Sequence, residues 1–565
     1  MTDNTRERNL EFGLFALAFG LALAIRLLRL GELPLTDDEA RWALQVFDLT
    51  KGLQPAIGPQ PGYVALTGLV FFVMQASNFA ARFVPALFGA LLTLTPYYFR
   101  DRLGGKPALV LAFFLAIDPG FLALSRLAGS PIIAVVAVLF GLGLWRAGNI
   151  RAAGIWVGLA LLSGPSLWAG LLGLGVAYGL LRGLFVREEQ ASKISFDRKI
   201  ILTTAAYAAG TYLLLGSFFL LLPGGLSAGL AAIPAYFGGW IDFSDVPAVR
   251  LLIGLGGYEF FAVLLALAAL VRGLLKRDEL VITLGLWLVA TLVLALAYPS
   301  RQVADLAWVL IPLWALAALE VSRHLAPIED GNWETIGMAV FTVAILVFAG
   351  INYAAIALTP LDASALQLRW WVLLGSLALL TVSIAMVAFG WSVPTAVQGS
   401  LWGALTVLMV YTLAIAVAAS GLRTYHTVEM WPSGPEIGQA STLVSQMNDL
   451  SRWKAGVNRS MDVTIAGLDS PALRWLLRDW PLTVSDGFTF SGSPAFLVVS
   501  DQFPTTNLET SYRGQDLTWR TYPSWEQTPP GDWLRWSLLH EMPSGQENII
   551  LWVRGDVFPD SQNNQ

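Results

Sequence analysis

Apolar residues run through this chain in long blocks separated by short polar segments, and the longest blocks set its architecture. Leu10 to Leu30, Ile200 to Leu222, Leu280 to Ala297 and Val397 to Ser420 each continue for roughly 18 to 25 residues with hardly a charge, enough to cross about 30 Å of hydrocarbon at 1.5 Å per residue. A window of about 19 residues moved along the sequence predicts about thirteen spans, near 10–30, 80–99, 107–124, 131–145, 152–162, 165–181, 200–222, 247–271, 280–297, 303–321, 335–358, 368–389 and 397–420. The fifth and sixth are short and share the break Ser163-Gly164-Pro165. Tyr63 to Met74, inside the loop 31–79, is apolar but too short to span and predicts a re-entrant or interfacial helix.

Beyond residue 420 the pattern changes. Charges, Ser, Thr, Pro and Asn return, and apolar residues fall into short runs. Met461 to Leu468 and Ala495 to Ser500 predict strands, and Ser470 to Trp480 a helix capped by Ser470 with Pro471 in its first turn. The expected fold is therefore an all-α polytopic membrane domain over residues 1–420 and a soluble α/β domain over 421–565. Nine tryptophans lie in the second domain, where they can serve as core, as a membrane-facing belt or as a sugar-stacking surface.

Composition agrees: 55% of residues are hydrophobic, 13% are charged and the mean hydropathy is +0.61, values that exclude an ordinary soluble domain. There is no cysteine, so disulfides and thiolate metal ligands are excluded. The first apolar run has no clear small-residue cleavage site and reads as a retained span. The net charge of −5 matters less than where the basic residues fall. With the N-terminus inside, about sixteen Lys and Arg lie in inner loops, among them Arg100, Lys106, Arg146, Arg151, Arg187, Lys193, Arg198 and Lys199, against a handful outside. That asymmetry predicts a multi-pass plasma (inner) membrane protein with a cytoplasmic N-terminus. The loop 31–79, the loop Tyr298 to Gln302 and the C-terminal domain would all be extracytoplasmic.

The outer loops hold one dense polar run beside a span: Thr36, Asp37, Asp38, Glu39 and Arg41. Thr36 and Glu39 have capping-box spacing, and acids in a first helical turn are favoured by the helix dipole, so the run can simply begin a helix. Capping would also fix the backbone that presents Asp38.

The run Leu35-Thr36-Asp37-Asp38-Glu39-Ala40-Arg41-Trp42-Ala43 resembles the Asp-Glu motif in the first external loop of the GT-C glycosyltransferases, nearest the branch of protein O-mannosyltransferases and lipid A aminoarabinose transferases. Gln60-Pro61-Gly62-Tyr63 is similar to that family's Pro-Pro-Leu-Tyr segment, and Arg82-Phe83-Val84-Pro85-Ala86-Leu87-Phe88-Gly89 to its Arg-Leu-Pro-Ser-Ala-Leu-Leu-Gly. Ser125-Arg126, and Ser300-Arg301 with Leu306-Ala307-Trp308 and Pro312, follow in the family's order, so the resemblance covers about residues 10 to 322. Two positions depart from it: Ser130 stands where an acidic residue is common, and Gly62 stands for the leucine.

The resemblance implies transfer of a sugar, with inversion, from a polyprenyl-phosphate carrier to a glycan, lipid or protein acceptor on the outer face. Asp38 would be the base and Glu39 its orienting partner, with Arg41, Tyr63, Arg82, Arg126 and Arg301 as substrate-binding residues. The departing phosphate monoester has a second pKa of about 6 and needs little protonation, so a carboxylate and a cationic clamp would suffice. Arginine offers phosphate a bidentate fork, although Arg126 and Arg301 also suit interfacial snorkelling and Arg41 a simple ion pair with Asp38. No histidine cluster marks a metal site, since His324 falls on the inner side and His426 and His540 in the soluble domain; a divalent ion shared by Asp38, Glu39 and lipid phosphate remains compatible. A flippase would put charges or helix breaks in mid-span, whereas the charges here crowd the outer ends. A non-catalytic assembly subunit is the other alternative, kept open by Ser130.

Overall fold

The computed structural model describes residues 2–185, 198–244, 246–324, 333–358, 362–423, 428–485, 487, 492–502 and 510–558. Arg187, Lys193 and His426 lie outside the described residues. From the N-terminus the helices are α1 (Thr2–Leu27), α2 (Asp37–Thr50), α3 (Pro61–Met74), α4 (Asn78–Leu92), the single turn α5 (Arg100–Leu103), α6 (Gly105–Ile117), α7 (Pro119–Ser125), α8 (Ile132–Arg146), α9 (Ile150–Leu161), α10 (Ser166–Phe185) and α11 (Arg198–Gly216). They continue with α12 (Gly224–Gly238), α13 (Ala248–Tyr258), α14 (Phe260–Lys276), α15 (Glu279–Ala297), α16 (Ala307–His324), α17 (Trp333–Leu358), α18 (Ala363–Gly390) and α19 (Val393–Ala419).

Among the described residues, eight helices are long and apolar enough to cross a membrane, and three bent pairs raise the number to eleven. The pairs are α6 with α7, α9 with α10 and α13 with α14, bent by 55°, 118° and 91°. Every predicted span falls on one of these helices or on α8. The difference from thirteen arises because α8 has only 15 residues and because α9 and α10, which fold back on each other at Ser163-Gly164-Pro165, count as one bent pair. Two of the bends carry acids: Asp118 sits between α6 and α7, and Glu259 between α13 and α14, so charge is not confined to the span ends. Helix α12 has no counterpart among the predicted spans.

Close helix contacts follow small residues. A Cβ on Gly154 or Gly158 of α9 would meet the carbonyl oxygens of Thr204 and Ala208 in α11 at 2.6 and 2.4 Å. Gly399 and Gly403 of α19 lie in the same way on Thr335 and Ala339 of α17. Both pairs have the four-residue spacing that lets two helical backbones approach where lipid offers no hydrophobic driving force.

The C-terminal domain contains β1 (Glu436–Ile437), α20 (Ala440–Ala455), β2 (Val463–Ala466), α21 (Pro471–Leu476), β3 (Leu482–Ser485), β4 (Phe496–Ser500), β5 (Tyr512–Pro523), α22 (Pro530–Leu539) and β6 (Ser544–Arg554). They build one sheet in the order β1-β5-β6-β4-β2-β3, parallel where β2 meets β3 and β4 and antiparallel elsewhere. Strand β2 is buried along its whole length, as a strand covered on both faces should be. Both predicted strands are present, and the predicted helix begins at the Ser470 cap but ends at Leu476. Of the nine tryptophans, Trp431, Trp475, Trp480, Trp519 and Trp536 are buried.

Candidate functional site

The acidic run opens α2, and each of its three carboxylates does something different. Thr36 caps the helix: its hydroxyl accepts from the Glu39 N–H, while its own N–H donates to Glu39 Oε2, completing the capping box.

Glu39 is buried and fully engaged. Arg82 donates to both of its oxygens, Nε to Oε1 at 2.7 Å and Nη2 to Oε2 at 2.6 Å, and the Ala128 N–H adds a bond of 2.9 Å to Oε1. The other donors of Arg82 reach the carbonyls of Leu30, Leu33 and Pro34, so one guanidinium ties the chain entering α2 to α4. Through Ala128 the same carboxylate holds the loop that carries Arg126 and Ser130.

Asp37 faces the C-terminal domain. It accepts from Ser470 Oγ at 2.7 Å, the Ala472 N–H at 2.9 Å and Arg520 Nε at 2.7 Å, and Arg520 also pairs with Glu547. Trp475 Nε1 donates to Asn78 Oδ1 and Arg478 to the Ala76 carbonyl, so the sheet domain is seated on the acidic loop itself.

Asp38 alone stays open, with its side chain 41% exposed. Arg41 Nη1 stands 3.3 Å from Oδ1, and Ser433 Oγ donates to Oδ2 at 2.6 Å. Ser433 belongs to a strap, residues 428–438, that leads from the membrane domain into β1. A Cβ on its Gly434 would lie 3.5 Å from Asp38 Oδ2, so the strap's backbone forms one wall beside the carboxylate.

The remaining candidates divide between scaffold and open positions. Tyr63 is fully buried, its hydroxyl donating to the Ala81 carbonyl and its ring edge-on to Trp42. Trp42 lies against Gly129, whose φ of +73° and lack of a Cβ the ring requires. Gly62 donates its N–H to the Leu162 carbonyl, and a Cβ there would lie 2.9 Å from that oxygen, which explains why no larger residue stands at this position. Arg126 Nη1 donates to the carbonyls of Ile25, Arg26 and Leu28 at the end of α1, with no bond from Nε or Nη2 to a described residue. Burial, then the positive charges of Arg82 and Arg29, push its pKa down to about 10, so it stays charged in an electropositive spot. Arg301 donates from Nη1 to the Val246 carbonyl, and its Nε is buried without a partner. No contact among the described residues joins Arg301 to Asp38. Ser130 is buried with its hydroxyl unpartnered.

Sequence reading missed a second polar cluster, at the start of the strap. Glu429 accepts from Tyr258 Oη at 2.7 Å and contacts His540 Nδ1 at 3.0 Å, while Oε1 has no partner. Deeper, Asp118 accepts from Trp314 Nε1 and from the Phe121 N–H, and Glu259 from the Gly120 N–H. The signal for Asp118 and Glu259 was present, because an acid within an apolar run is a candidate functional group by default.

Glu436, in β1 near the end of the strap, is half-buried, and its carboxyl group makes no hydrogen bond to a described residue. Burial, then the charge of Glu429, push its pKa from 4.5 up to about 7. The fold thus holds this proton more tightly than the unfolded chain. The group's contribution to stability is greatest below about pH 4.5 and falls as pH rises to about 7. Glu436→Gln is expected to flatten that part of the profile, measured as melting temperature between pH 5 and 8; parallel profiles for both proteins would refute it.

With the geometry in place, the protein can be classed as a polytopic helical membrane protein that carries a C-terminal mixed-sheet domain. Two solved structures share that architecture nearly end to end. ArnT from Cupriavidus metallidurans bound to undecaprenyl phosphate aligns with a TM-score of 0.56 over 97% of this chain and 99% of its own, at 15% identity. Its apo state aligns with a TM-score of 0.51 over 96% and 98%, at 15% identity. No protein-family model and no curated protein sequence matches the chain.

Proposed function

We propose that this protein is a membrane glycosyltransferase that moves a sugar, with inversion, from a polyprenyl-phosphate donor to an acceptor on the extracytoplasmic face. The observation that carries this reading is that Asp38 alone of three adjacent acids is left open, on a scaffold matching, over nearly its whole length, a protein with undecaprenyl phosphate bound. In this reading Asp38 takes the proton of the acceptor nucleophile as it attacks the anomeric carbon, and the sugar–phosphate bond breaks on the opposite face. Arg41 and Ser433 orient the carboxylate. Arg126, with Nε and Nη2 still available, receives the phosphate, and Arg301 is a second cation for the donor. Glu39, Arg82 and Tyr63 act through the scaffold. A divalent ion on Asp38 and Glu39 fits poorly, because Arg82, Thr36 and Ala128 already occupy both Glu39 oxygens.

The test is reconstitution in liposomes with a radiolabelled polyprenyl-phosphate sugar. The expected result is protein-dependent release of polyprenyl phosphate that rises when acceptor glycan or lipid is supplied. No release with any carrier, despite a folded protein, would defeat the reading.

Thirteen crossings with a cytoplasmic N-terminus complete the proposal. Two contacts favour this count: the tip of the α9–α10 hairpin reaches α3 through Leu162 and Gly62, and the sheet domain rests on α2, so loop, tip and domain share one face. A single cysteine at Ser511 is expected to react with an impermeant maleimide in intact spheroplasts. Protection until the membrane is opened would invert the topology.

A further inference from the structure

A groove of about 430 Å³ runs along the lipid-facing side of α8, α9, α10 and α11, from Ala153 near the start of α9 to Leu161 at its end. Its floor and walls are apolar, among them Gly141, Trp145, Val157, Leu171, Ile201 and Ala205. Thr204, its polar exception, turns its hydroxyl onto the Ile200 carbonyl. From Ile201 to Ala208 on α11, and from Ala137 to Trp145 on α8, the groove is about 10 to 12 Å long at 1.5 Å per residue.

Cations gather at one end only. Helix α8 ends at Arg146, α9 begins with Ile150 and Arg151, and α11 begins with Arg198 and Lys199. Arg146 pairs with Asp101, but no carboxylate among the described residues pairs with Arg151 or Arg198, and both are exposed.

We propose that this groove binds one acyl chain of an anionic phospholipid, with the head-group phosphate held by Arg151 and Arg198. Chain and charge are complementary in order: the apolar channel accepts methylenes, and Arg151 and Arg198, which pair with no carboxylate among the described residues, stand in the first turns of two of the helices that line it. The site is not another seat for a sugar donor. The other end of α8 follows the loop whose Ala128 is bonded to Glu39, and 15 helical residues separate that end from Arg146 by about 22 Å. A phosphate at Arg198 therefore lies on the face opposite Asp38. The lipid would brace α11, which rests mainly on α9. This inference stands independently of the proposed transferase activity.

The experiment uses the full-length protein in mild detergent, with native mass spectrometry and thermal unfolding in the presence of phosphatidylglycerol, phosphatidylcholine or undecaprenyl phosphate. The expected result is one phosphatidylglycerol adduct and a melting temperature that rises with its concentration, as for any ligand bound to the folded state alone. Phosphatidylcholine should be at least tenfold weaker. R151E/R198E, which changes only exposed residues, should lose the preference for phosphatidylglycerol, and Ala205→Phe should lose the adduct. Gly141→Val, whose new Cβ meets nothing closer than 3.5 Å, serves as the groove-filling variant should Ala205→Phe fail to fold. Equal shifts from the two phospholipids, an adduct that survives groove filling, or undecaprenyl phosphate displacing phosphatidylglycerol from this site would each overturn the proposal. Transfer activity, scored separately, is unaffected by which of these results is obtained.

Discussion

Asp38→Asn is expected to lower turnover by about two to four orders of magnitude, the usual worth of a general base, while expression, membrane insertion and melting temperature stay unchanged. The amide has the size of the carboxylate and can still accept the Ser433 hydroxyl, and the side chain is open to solvent, so little stability depends on its charge. What it cannot do is take a proton. The measurement is single-turnover release of polyprenyl phosphate in liposomes, compared at matched protein density. Near-normal turnover would remove Asp38 from the reaction and direct attention to Glu436. Asp37→Asn is the informative control: it weakens the buried joint with Arg520, Ser470 and Ala472, so its first effect should be a looser, more protease-sensitive C-terminal domain.

Spans and strands were legible because both follow local patterns. A hydrocarbon-length apolar run announces itself, and so does the Thr36/Glu39 capping box, which the structure contains in full. Bends were not legible: Asp118-Pro119 and Glu259 look like interruptions in continuous apolar runs, yet they turn the chain by 55° and 91°. Helix α12 escaped because its glycines and Pro234 read as a loop. In the site, spacing showed which residues share a helical turn but not what faces each of them. Asp37 looked like another first-turn acid beside a capped helix, and its partners lie 433 and 483 residues away. The Ser433 contact spans a similar gap, 395 residues. Long-range pairs such as these leave no periodic trace, so the acidic run could be found but its division of labour could not.

The largest loss of stability is expected from Arg82→Met. Arg82 and Glu39 are 6% and 3% exposed, and their two parallel bonds sit beside three backbone carbonyls that the same guanidinium satisfies. Removing the cation leaves a buried carboxylate without its counter-charge, a defect that costs about 3 to 5 kcal/mol where it has been measured. Arg82→Lys should rescue little, because one ammonium cannot reproduce the bidentate fork and still reach Leu30, Leu33 and Pro34. Glu39→Gln should be milder, since the amide oxygen can still accept one bond and the arginine keeps its carbonyls. Combining Glu39→Gln with Arg82→Met should recover part of the loss, because no unpaired charge then stays buried. Tryptophan-fluorescence melting of the wild type and the four variants in one detergent measures this, and donor titration of each separates scaffold from ligand. If Arg82→Met melts with the wild type yet no longer binds the donor, Arg82 is a substrate ligand, and the view that it merely holds the acidic loop in place is lost.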